Sequence, residues 1–207
     1  MGLFDQIKNT LVSQAGQAAR SAVNKGVNNL AKNVKEGIGK GRNHTEKFKF
    51  QKLPENLEEL KALPEASLNT AFKTAALCIA ALTNYEKNPD ATWEMIEFLN
   101  GPEDVNPSLR QFIQERLNEK MYKVFAFFKG ATPANNYTPT VPYTLEVIEN
   151  PYSFDDENWA TLYVQSGGDD KPSPIKLRKK PSTGQWFIND IQCLTDIRLP
   201  ASQDKWA

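Results

Sequence analysis

The hydrophobic period of this chain changes once, and that change dictates the class of fold it can adopt. Between Leu68 and Leu117 the apolar residues recur three and four positions apart: Leu68, Phe72, Ala75, Ile79 and Leu82, then Trp93, Ile96 and Leu99, then Leu109, Phe112, Ile113 and Leu117. Such spacing gathers each set on one face of an α-helix. Further on the period is two. Residues 143–149, 159–165, 175–179 and 185–191 read as strands, separated by the turn-rich stretches NPYSFDDE, SGGDDKPSP and PSTG. Sequential strands joined by such turns form an antiparallel meander, and the helices must cover its apolar face to bury Leu162, Val164, Trp186 and Ile188. The expected fold is α+β: a three-helix block followed by a four- to five-stranded antiparallel meander, preceded by an N-terminal amphipathic helical arm.

Local signals set the expected boundaries. A short turn falls at residues 57–63, a long core helix spans 66–87, and Asn88-Pro89-Asp90 breaks it before a helix over 92–100. Asn106 followed by Pro107 starts the third helix, because asparagine supplies a cap oxygen and proline fits the first helical position. From Tyr122 the pattern reads as extended through Val124 to Phe128. Phe48 and Phe50, alternating with lysines in KFKF, mark a short extended entry to the body. The passage KGATPANNYTPTVP reads as an ordered surface loop, and Lys129, Thr132, Asn135, Asn136 and Tyr137 are its candidate recognition residues, since ordered loops of this length often bind.

The first 45 residues differ in kind from the rest. Phe4, Ile7, Leu11, Ala15, Ala18 and Ala22 form one narrow helical stripe, and Val23, Val27, Leu30, Val34 and Ile38 form a second, rotated one. The slip near Asn24 to Gly26 argues against a continuous coiled coil. Seven basic residues against two acidic ones give residues 1–45 a net charge of plus five, and the balanced chain leaves minus five for the remainder. Leu3, Phe4, Ile7 and Leu11 are the bulky apolar tip, with Lys8, Lys25, Lys32 and Lys35 mostly on the other side. This pattern suits reversible contact with an anionic membrane surface, where each basic residue contributes about 1 kcal/mol and the apolar tip inserts. A protein partner, or a second copy of the arm, is the competing acceptor. The expected organisation is an arm over 1–36, a glycine-rich hinge over 37–47 containing Gly37, Gly39 and Gly41, and an α+β domain over 48–207.

Other chemistry is thinly represented. His44 is the sole histidine and lies in the hinge, so a Ser-His-Asp triad on the body has no base. Cys78 and Cys193 show no ligand spacing or disulfide framework and read as buried thiols. No metal site and no cofactor is expected. The glycine triplet follows no strand and lacks a nucleotide fingerprint. Asp155, Asp156 and Glu157, like Asp169 and Asp170, read as solvated turns. Lys176, Arg178, Lys179 and Lys180 beside Trp186 and Phe187 offer phosphates a cradle, but lysines also protect a sheet edge from pairing, and the body is acidic, so nucleic acid is not the expected partner. Gln6 departs from the myristoylation pattern, the first thirty residues hold no secretory apolar core, and residues 71–82 are too few to span a bilayer. A cytoplasmic protein, peripheral at the inner face of the membrane, is expected.

Three stretches carry a resemblance: FFKGATPANNYTP at 127–139, SGGDDKPSPIKLRKKPSTGQWF at 166–187 and IRLPASQDKWA at 197–207. In this order they make the region from Thr70 onward similar to an uncharacterised bacterial domain family of gut Firmicutes, which implies a domain and no reaction. MGLFD at residues 1–5 is similar to the start of phage-shock and inner-membrane-associated proteins, whose first helix lies in the bilayer interface. Helices followed by a curved sheet, with GQWFIND in a late hairpin, also resemble the cone-shaped folds related to nuclear transport factor, which implies a pocket between helices and sheet. Two functions follow as expectations: a non-enzymatic adaptor docking through its arm, or a small-ligand-binding domain or cryptic enzyme with such a pocket.

Overall fold

The computed structural model describes residues 43–206, which fall in one compact unit, Lys40–Ala207. Five strands form one antiparallel sheet in sequence order: β1 (His44–Phe50), β2 (Tyr143–Glu149), β3 (Trp159–Val164), β4 (Ser173–Lys179) and β5 (Trp186–Ile191). The last four match the expected meander within two residues. β1 precedes the helices and pairs with β2 over seven positions, from His44 opposite Glu149 to Phe50 opposite Tyr143. It begins inside the segment read as hinge, so residues 44–47 belong to the sheet. The alternation that suggested KFKF as an extended segment holds here, with Phe48 and Phe50 buried and Lys47 and Lys49 exposed.

Between β1 and β2 lie the helices: α1 (Leu57–Ala62), α2 (Ala71–Leu82), α3 (Pro89–Asn100), α4 (Pro107–Leu117) and the single turn α5 (Tyr122–Phe125). Each of the first four starts at a polar cap. Asn56 accepts from the Glu59 amide at 2.9 Å, Thr70 from Lys73, Asn88 from Ala91 at 3.1 Å and Asn106 from Ser108 at 2.8 Å, satisfying donors that a helix start leaves orphaned. Asn88-Pro89 therefore opens a helix where the sequence reading placed only a break, by the same mechanism as Asn106-Pro107.

α2 is shorter than the expected 66–87. A 3-10 turn at Pro64–Ser67 ends in Leu68 at φ +52°, and the Leu68 carbonyl accepts from the Trp186 amide of β5 at 2.8 Å. This long-range bond holds the chain out of helix just before Thr70. Apart from Lys73, every residue of α2 is buried, because the helix lies across the inner sheet face and touches β2 to β5. Leu77, Ile79 and Leu82 meet a layer of Leu145, Val147, Leu162, Val164, Ile175 and Leu177, all fully buried. Each such side chain contributes about 1.5–3 kcal/mol of transfer free energy.

The expected extended run from Tyr122 is instead helical over α5, with only Phe128 bridging to Leu145. Val124, Phe127 and Phe128 are all buried, and a run apolar on every side has no period to read. Among the described residues no helix is long and apolar enough to cross a membrane.

Candidate functional site

The expected docking residues Leu3, Phe4, Ile7, Lys8, Leu11, Lys25, Lys32 and Lys35 lie outside the described residues. The loop after α5 is built from within. The Thr132 and Asn135 side chains form a reciprocal cap around a 3-10 turn at Pro133–Asn135. The Asn135 amide also donates to the carbonyls of Gly130 at 2.8 Å and Thr138 at 3.0 Å. Asn136, at φ +52°, accepts from the Ser202 amide at 3.1 Å and so pins the C-terminal segment. Tyr137 is 2% exposed, stacks on Tyr122 with centroids 5.5 Å apart, and donates its hydroxyl to the Arg198 carbonyl at 2.8 Å. Its ring is a core element and is not presented to a partner; the recognition reading of Tyr137 is corrected accordingly. Lys129 and Thr132 stay at the surface.

The basic run on β4 is not at an edge, because β4 lies between β3 and β5. Edge protection therefore does not account for these residues. Lys176 and Arg178 stand on the open sheet face with Trp159 and Phe187, since Trp159 and Phe187 are the cross-strand neighbours of Arg178. The Arg178 guanidinium sits 5.3 Å from the Trp159 ring centroid, and its Nη1 is 3.0 Å from Glu103 Oε1. Lys179 faces the other way, with Nζ 5.8 Å from the Trp186 ring centroid. Glu103 belongs to the α3–α4 loop, which Asn100 holds by donating to the Glu103 carbonyl at 2.7 Å.

A cleft of about 170 Å³ opens between this loop and the ends of β4 and β5, lined by Asn100, Pro102, Arg178, Lys180, Phe187 and Asn189 among others. Gly101 makes it possible. Its φ is +82°, and a Cβ there would stand 2.5 Å from Phe187 Cδ1, so only glycine lets the loop rest on that ring. Trp159 and Glu103 were not singled out from sequence. Strand parity carried a signal for Trp159, as Ala160, Leu162 and Val164 take the inner face; nothing local points Glu103 at a strand 75 residues away.

His44 opens β1 with its ring edge-on to Phe72, centroids 5.5 Å apart, and Nε2 3.7 Å from Glu46. Among the described residues no three His, Cys, Asp or Glu side chains form a metal-holding group. Asp155, Asp156 and Glu157 are exposed on the β2–β3 turn, and Asp170 pairs with Arg198 at 2.7 Å. Cys78 and Cys193 are free and fully buried. Burial pushes the Cys193 thiol up to about 12 and that of Cys78 well above its usual range, the nearby Cys193 adding to the latter. Both thiols should resist a disulfide-exchange reagent at neutral pH in the folded protein and react once it is unfolded, a difference read by absorbance. The same shift predicts stability that holds below the ordinary thiol value of 9.0 and declines as pH rises towards about 12, because the unfolded thiols ionise first.

A family model described as Domain of unknown function (DUF6935) matches residues 52–201. No curated protein and no solved structure matches the chain, so the likeness to cone-shaped folds is carried no further. The matched stretch includes all five helices, the ordered loop and strands β2 to β5, and it is through this shared body that the chain belongs to the DUF6935 family of domains of unknown function.

Proposed function

We propose that this protein is a non-enzymatic, cytoplasmic adaptor that docks reversibly on an anionic membrane surface through residues 1–36, the α+β domain serving as its interaction body. The observation behind this reading is the pairing of a cationic, amphipathic leading segment with a strand fixed along its whole length. β1 is bonded to β2 from its first residue, His44, through Phe50. The interior favours the same reading over a pocket between the layers. Leu77, Ile79 and Leu82 of α2 and Leu145, Leu162 and Leu177 of the sheet fill the space where a ligand would sit. Two unbridged, buried thiols suit a reducing compartment.

Flotation with liposomes tests the proposal. The full chain is expected to float with anionic vesicles, less so with neutral ones, and to detach as salt rises. Replacing Phe4 and Ile7 by Asp removes two bulky apolar anchors and is expected to weaken binding by about tenfold or more. Unchanged flotation of that variant removes the insertion step, and binding indifferent to salt removes the electrostatic one. Binding to neither vesicle, together with a dimer by light scattering, would transfer the arm's role to self-association.

A further inference from the structure

We propose that the cleft between the α3–α4 loop and the ends of β4 and β5 binds a small organic anion with a flat apolar body, such as an aromatic phosphate or carboxylate. This inference is independent of the arm. Phe187, with Pro102 and Pro181, supplies an apolar surface on which a ring can lie, and Gly101 packs against the Phe187 ring and so fixes its position at the edge of the cleft. The volume of about 170 Å³ suits a single ring with its substituent.

Recognition of the charge comes from Arg178, helped by Lys180 and the side-chain amide of Asn189. Arg178 is already oriented. Its guanidinium is held against Trp159, and the planar fork meets a carboxylate, that of Glu103, at 3.0 Å. Glu103 marks where an anionic oxygen is bound in this cleft. Its side chain is 68% exposed and that of Arg178 is 52% exposed, so their pair is weak and exchangeable. A ligand carboxylate or phosphate takes the place of Glu103 and gains the ring contact that Glu103 lacks. Arginine suits both groups through parallel N–H donors. The carboxylates of Asp155, Asp156 and Glu157 stand on the turn that leads into Trp159; they oppose an extended polyanion or an anionic bilayer at this end of the sheet, which restricts the occupant to one compact anionic group.

The test uses phenyl phosphate and benzoate as probes on the full chain, with inorganic phosphate and phenol as half-ligands, read by amide chemical shifts in NMR titrations. Both probes are expected to bind more tightly than either half-ligand and to shift the signals of Gly101, Arg178 and Phe187. Arg178→Ala is expected to weaken binding by about tenfold, whereas Glu103→Gln, which removes the competing carboxylate, is expected to tighten it by about threefold. The opposite signs separate recognition from a structural ion pair, whose loss from either side would act alike. Both positions are exposed, so neither variant threatens folding, and unchanged dispersion of the spectrum verifies it. Absence of shifts at millimolar probe overturns the proposal. So does inorganic phosphate binding as well as phenyl phosphate, or Glu103→Gln weakening the probes.

Discussion

Truncation of Tyr137 to alanine is expected to lower the unfolding free energy by about 4 kcal/mol, the range found for emptying a packed aromatic site. The ring is almost wholly enclosed, stacks on Tyr122, and ties the loop to the C-terminal segment through the Arg198 carbonyl. Burial raises the phenol pKa, so the hydroxyl remains a neutral donor. Tyr137→Phe keeps the ring and removes only that bond, which predicts a loss of about 1 kcal/mol. Urea denaturation of the two variants measures both values. A residue whose task was to contact a partner would show the reverse: little change in stability and a large change in binding.

Gly167→Ala is expected to cost about 3 kcal/mol, the upper part of the usual overpacking range. A Cβ at Gly167 would collide with the Ala131 carbonyl oxygen, and the obstruction is backbone, which cannot rotate away. The Gly167 amide also donates to the Ala126 carbonyl at 2.8 Å, so the segment cannot retreat without losing that bond. A Cβ on the neighbouring Gly168 would instead meet a side-chain atom, the Tyr137 hydroxyl. The glycine pair is therefore the shelf on which the Ala131 to Tyr137 loop rests. Thermal unfolding of Gly167→Ala should show a melting point several degrees lower, and an unchanged melting point would mean that the loop lifts freely.

How far each element could be read in advance follows from the range of the forces that shape it. The four strands after residue 142 were legible because alternation and turn residues are local, and their mutual pairing follows from short connections. The start of α4 was legible because its cap and proline lie side by side. The start of α2 was not, since a bond from the Trp186 amide to the Leu68 carbonyl decides where the helix begins. Nor was the rank of the basic strand: Lys176 and Arg178 look like the basic residues of an edge strand until β5 is seen to pair along that side.

The site divides along the same line. Lys180 and Arg178 announce themselves as cations, and the outward parity of Trp159 can be counted from its strand. That Glu103 meets Arg178, with Gly101 resting on Phe187, depends on how α3 ends against β5. The sequence by itself determined the α+β class, the order of the main helices and the four-strand meander, the cap at Asn106 and the unusual charge and amphipathicity of the leading segment, because periodicity, capping and charge act over a few residues. The tertiary structure alone decided that β1 joins the sheet, that Tyr137 turns inward and that a cleft forms beside Arg178. Those outcomes depend on contacts between residues tens of positions apart, where packing and long-range hydrogen bonds override local preference.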